Sequence, residues 1–85
     1  MLYLKFNTNN TGVVLMQGSV IWINPENSED IKICFDEGRI VKIELLGAEV
    51  EIGDIISGDF TDLGGGTMYN SSKLEYIDVY VQDFD

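Results

Sequence analysis

"EDIKICFDEGRIVKIELLG", residues 29–47, alternates apolar and polar side chains on both sides of an acidic turn, and its reading decides the fold. Ile31, Ile33 and Phe35 alternate with Lys32 and Cys34; Val41, Ile43 and Leu45 alternate with Lys42 and Glu44. A two-residue period sends each apolar trio to one face of a half-buried strand, so the stretch reads as a β-hairpin turning at Glu37-Gly38. A helical stripe through Ile40, Ile43, Leu46 and Val50 is broken by Glu44 and Gly47, which leaves the strand reading in place.

The same period recurs on either side of this hairpin. Leu2, Leu4 and Phe6 alternate with Tyr3 and Lys5 in an expected first strand. "VVLMQGSVIWI", residues 13–23, reads as two short apolar strands folded about Gln17-Gly18, because glycine supplies the positive φ of a tight turn. Asn24 to Ser28 is an expected loop, with Pro25 ending the strand before it. Val50-Glu51-Ile52 and Ile55-Ile56 read as short strands separated by Gly53-Asp54. In "YIDVYVQDF", residues 76–84, Ile77, Val79 and Val81 alternate strictly with Tyr76, Asp78, Tyr80 and Gln82.

Seventeen valines and isoleucines against the single Ala48 suit pleated strands and argue against helices. The expected fold is therefore all-β: seven or eight short antiparallel strands curled into a small sandwich or partly open barrel, with little or no helix. The connection from 61 to 73 is the exception, a long loop in which Gly64-Gly65-Gly66 serves as a mobile link. The 85 residues, 45% of them apolar, make one domain with enough material for a core despite a net charge of −10.

Cys34 has no cysteine to pair with in the chain, and the polar run 7–11 follows the start with no apolar signal segment, so a cytoplasmic location is expected. The apolar stretch 13–23 is far shorter than the roughly 20 residues that cross a bilayer, and no membrane partner is expected.

Catalytic chemistry finds little support in the residue types. With no histidine, Ser-His and Cys-His nucleophilic pairs are excluded and the commonest general base is missing. The glycine run lacks the following helix and the lysine of a phosphate cradle, and Asp59 and Asp62 beside it would repel an anion. Asp54, Asp59 and Asp62 offer oxygen ligands to calcium, but the spacing of a calcium loop cannot be laid on them. No catalytic residue, metal or cofactor is assigned. An enzyme using carboxylates or a divalent ion stays as a third alternative.

Charge points to a partner. Fifteen acidic residues against Lys5, Lys32, Arg39, Lys42 and Lys73 repel nucleic acid and anionic lipid while attracting basic proteins, such as a nuclease, a toxin or another nucleic-acid-binding protein. The expected contact surface is the solvent-side row of the last strand and its tail: Tyr76, Asp78, Tyr80, Gln82, Asp83 and Asp85. Tyrosine brings rigid contact area with a polar tip, and carboxylates between tyrosines pair with Arg or Lys across an interface. Asp59, Asp62 and Tyr69 are secondary candidates, while Trp22, in the most apolar segment, is expected in the core. The leading expectation is an acidic binding module that blocks a basic protein surface, as an immunity protein, antitoxin or phage-type inhibitor does. The alternative is a structural module forming homo-oligomers through sheet edges, with 76–84 as the seam.

"FDEGRIVKIELLGA", Phe35 to Ala48, resembles the acidic-turn hairpin of a family of short bacterial proteins of unknown function, whose pattern runs D-E-D-G-R-[IV]-V-G-I-E-I-L-x-A. One acidic turn residue of that pattern is missing here, and Lys42 stands where the family often has glycine. The resemblance implies a hairpin over residues 35–48 and implies no activity.

Overall fold

The computed structural model describes residues 16–35, 38–58 and 63–84, which form a closed barrel of six antiparallel strands. The strands are β1 (Met16–Asn24), β2 (Asn27–Phe35), β3 (Ile40–Leu45), β4 (Ile55–Gly58), β5 (Gly64–Asn70) and β6 (Glu75–Phe84). Their order around the barrel is β1-β2-β3-β6-β5-β4, and β4 pairs back onto β1. The all-β expectation holds, and the sheet closes on itself.

Alternation explains what fills the barrel. Ile31, Ile33 and Phe35 from β2, Val41, Ile43 and Leu45 from β3, and Ile77, Val79 and Val81 from β6 all point inward and are buried. Val20, Ile56 and Met68 complete the core. Each fully buried side chain of this size contributes about 1.5–3 kcal/mol relative to exposure, and the β-branched majority loses little rotamer freedom in a strand. The hairpin of β2 and β3 pairs Ile31 with Ile43 and Ile33 with Val41, the register its two apolar trios require.

Of three register shifts among the described strands, two are single-residue bulges that adjust the alternation. Val20 pairs with Ile33 but Trp22 pairs with Lys32, so Ile21 is an extra residue turned to solvent. In β6, Val81 faces Ile43 while Asp83 faces Lys42, which leaves Gln82 extra. Gln82 and Asp83 therefore both lie outside, and half-buried Phe84 packs against the core.

Several expectations are corrected. Gln17-Gly18 is no turn: β1 runs straight through it, because Gly18 is an inward position where the barrel wall has no room for a side chain. A Cβ there would lie 2.6 Å from Ile33 Cγ2 and 2.8 Å from the Cys34 carbonyl oxygen. The loop expected over 24–28 shrinks to Pro25-Glu26, with Asn24 Oδ1 accepting from the Glu26 N–H to tighten the turn. No strand forms over 50–52; Glu51 to Asp54 instead make a turn closed by the Asp54 N–H donating to the Glu51 carbonyl at 3.0 Å. The glycine run is no mobile link, since Gly64, Gly65 and Gly66 open β5 and pair with Val81, Tyr80 and Val79. Trp22 is not in the core; it is half-buried on the outer face, with Lys32 Nζ 5.0 Å from the ring centroid. The strand expected over 2–6 lies outside the described residues, as do residues 13–15 of the second apolar segment.

Gly18→Ala is expected to destabilise the barrel by about 2 kcal/mol through overpacking against Ile33. Gly66→Ala, where an added Cβ meets nothing within 4 Å, is expected to leave the urea midpoint no lower. Equal midpoints for the two variants would contradict the close approach at Gly18.

Candidate functional site

The outward half of β6 carries Tyr76, Asp78 and Tyr80 in a row, continued by Gln82 and Asp83 at the bulge, all exposed. β6 is hydrogen-bonded to β5 over 75–81 and to β3 over 79–84, so every residue of the row is paired on at least one side and Tyr80 on both. Tyr76 is 77% exposed and Tyr80 47%, high values for rings on a paired strand.

The neighbours in register explain that exposure. Tyr80 faces Gly65 on β5, which has no side chain to stand beside it, and Glu44 on β3. Asp78 faces Thr67, whose Oγ1 donates to Asp78 Oδ1 at 3.2 Å. Tyr76 faces the half-buried Tyr69, with ring centroids 4.9 Å apart at a 58° tilt, a favourable aromatic geometry. The structure thus brings the secondary candidate Tyr69 into the row. Asp85, Asp59 and Asp62 lie outside the described residues.

Charge is unevenly spread over the strands. β4, β5 and β6 hold the carboxylates of Glu75, Asp78 and Asp83 and no cation, whereas on β2 and β3 the paired Lys32 and Lys42 stand among Glu29, Asp30 and Glu44, with Lys42 Nζ 3.9 Å from Asp30 Oδ2 and Arg39 between the strands. Lys73, in the β5–β6 turn, lies 3.3 Å from Glu51 Oε2 and 4.0 Å from Asp54 Oδ2.

The buried polar residues Asp54 and Asn70 hold the end of the barrel beneath that turn. Asn70 Nδ2 donates to Asp54 Oδ2 at 2.9 Å, and the Glu51 N–H donates to the same oxygen at 3.0 Å. Asn70 Oδ1 in turn accepts from the Ser72 and Lys73 N–H groups, shaping the turn that leads into Tyr76. Burial is the largest influence on the Asp54 carboxyl and pushes its pKa up. The Asn70 amide, the Glu51 N–H and the Lys73 charge together outweigh it, so the pKa falls below its ordinary 3.8. Leu74 closes the turn at φ 58°, a left-handed conformation that costs a non-glycine residue about 1–2 kcal/mol, and its side chain is exposed.

Beside Tyr76, a groove of about 440 Å³ runs between β6 and the segment that follows β3. Leu46, Ala48 and Glu49 form one side and Glu75, Tyr76 and Asp78 the other. The Leu46 N–H donates to the Asp78 carbonyl at 2.9 Å and fixes the two sides together. Glu49, Glu75 and Leu46 were not among the sequence candidates. Glu75 had a signal, being adjacent to Tyr76; Leu46 and Glu49 lie in a segment with no strand pattern. Among the described residues, no three His, Cys, Asp or Glu side chains gather as metal ligands, and no helix is long and apolar enough to cross a membrane. No family model, curated protein or solved structure matches the chain.

The Asp54 clasp titrates with a definite sign. A carboxyl whose pKa is lower folded than unfolded stabilises fully above its unfolded value and loses that contribution as pH falls through the folded one. Asp54→Asn is expected to cost about 1–3 kcal/mol near neutral pH, because the neutral amide oxygen accepts more weakly than a carboxylate from Asn70 and the Glu51 N–H and loses the attraction to Lys73. The difference between variant and wild type, measured by urea unfolding, should stay constant down to about pH 5 and shrink as pH drops below 3.8. A difference that grows on acidification would contradict the clasp.

Proposed function

We propose that the protein is a small acidic binding module that docks the row Tyr76, Asp78, Tyr80, Gln82 and Asp83 on a basic protein surface and blocks it, in the manner of an immunity protein, antitoxin or phage-type inhibitor. The observation that supports this reading is the composition of the row: two exposed tyrosines stand among three carboxylates on β6, and β4, β5 and β6 carry no cation. Acidity serving solubility alone needs no such arrangement. Tyr76 and Tyr80 would supply the desolvated contact area, and Asp78 between them would pair with an Arg or Lys of the partner. The carboxylates around them would steer the encounter and disfavour nucleic acid and anionic membranes. No catalytic step and no cofactor are assigned to the module.

The partner bound from a cell extract in low-salt buffer should be basic, and its association rate should fall about tenfold or more as salt is raised past the range where the Debye length drops below ~8 Å. Asp78→Lys should slow association several-fold, while Tyr80→Ala should speed dissociation. Lys32→Glu, two strands from Asp83, should leave binding unchanged or faster. Binding insensitive to Asp78→Lys and to Tyr80→Ala would refute the assignment of this face.

A further inference from the structure

The groove beside Tyr76 has the chemistry of a receptor for one particular side chain. Its lining includes three acidic residues, Glu49, Glu75 and Asp78, the last with its carboxylate also held by Thr67 Oγ1, and no basic residue. Lys73, the described cation nearest in sequence, is held by Glu51 and Asp54. Leu46 and Tyr76 are exposed large apolar groups on opposite sides of the same groove, which water alone does not reward. The volume of about 440 Å³ suits an inserted side chain with its flanking backbone, at the lower end of the range of ~300–1,000 Å³ for ligand pockets.

Resting on the binding role argued above, we infer that this groove reads an arginine of the basic partner. A guanidinium has five donors in a plane, so it can divide its hydrogen bonds between the carboxylates of the two walls while its face stacks on the exposed Tyr76 ring. Its aliphatic stem lies against Leu46 and Ala48, covering apolar surface that the free protein leaves in water. A lysine ammonium satisfies the charge but is more strongly hydrated and has no planar face, so it gains less from the ring. The Leu46–Asp78 backbone bond keeps the walls at a fixed separation, which means the groove exists before the partner arrives.

The probe is a blocked Gly-Arg-Gly tripeptide, titrated into isotopically labelled protein in low-salt buffer and followed by amide chemical shifts, with the lysine and citrulline tripeptides as controls. The arginine peptide should move the signals of Leu46, Glu49, Glu75 and Asp78, bind several-fold more tightly than the lysine peptide, and lose about fivefold in affinity in Glu49→Gln/Glu75→Gln. Both substituted positions are exposed, so the double variant should keep its fold, and an unchanged dispersion of the remaining signals checks this. Equal binding of the arginine and citrulline peptides would overturn the inference. So would shifts confined to Tyr80, Gln82 and Asp83, an outcome that leaves the wider binding face standing. An arginine peptide that perturbs no part of β6, together with a natural partner insensitive to Asp78→Lys, would remove both.

Discussion

Closure between β1 and β4 is the constraint on which the rest of the molecule depends. That seam pairs only Met16 to Ser19 with Gly58 to Ile55, far shorter than the β5–β6 ladder. It is extended by backbone bonds from the Val20 N–H to the Asp54 carbonyl and from the Gly53 N–H to the Val20 carbonyl. Two inward glycines let it form: Gly18 makes room for Ile33, and Gly58 for Met68, whose Cγ would lie 2.7 Å from an added Cβ. The Asp54–Asn70 bond then ties the 51–54 turn to the end of β5. Opened at this seam, the sheet would present β1 and β4 as free edges and expose apolar residues of every inner face at once. A barrel this small reaches stability through that closure because a curled but open sheet buries less apolar area per ordered residue.

The same closure gives the outer face its character. β6 is paired to β5 over 75–81 and to β3 from Val79 on, with the Leu46–Asp78 bond between, so Tyr76, Asp78 and Tyr80 are presented at fixed spacing with little backbone entropy left to lose on binding. The glycines of β5 add relief: with no side chain at Gly65, Tyr80 stands clear on that flank. Glycine in a strand costs about 0.5–1 kcal/mol relative to alanine, and here the cost coincides with the most exposed aromatic row of the described residues. Leu74 adds a second local cost nearby, a left-handed leucine held at the turn that leads into Tyr76.

Much of this was legible in the residues, and the rest failed for identifiable reasons. β2, β3 and β6 were readable because each has one buried and one wet face, the condition under which a period of two survives in sequence. The row on β6 was readable for the same reason. Gly18 was misread because a glycine needed for a tight turn and a glycine needed for close packing look alike until the partner strand is known. The glycine run at 64–66 was misread because ladder hydrogen bonds come from the backbone, and the pairing that orders it is supplied by β6. Trp22 left the core through the extra residue at Ile21, which no local pattern announces. The groove was illegible because its walls are brought together by the β3–β6 pairing and the Leu46–Asp78 bond, contacts between segments far apart in sequence.

The distribution of charge also bears on what the row can meet. An isologous dimer through β6 would set Glu75, Asp78 and Asp83 against the same groups of its partner, and like charges brought together in a contact cost several kcal/mol. Strand addition along the middle of β6 is closed off because both of its sides are already paired over 79–81. Contact between the acidic row of one copy and Lys32 and Lys42 of the next, which adjoin Asp83 of their own copy, is heterologous and propagates into open chains unless the rotation closes. A distinct basic partner meets the row without any of these penalties. These penalties follow from the acidic residues of β6 and its existing strand pairing, more than from the net charge of −10.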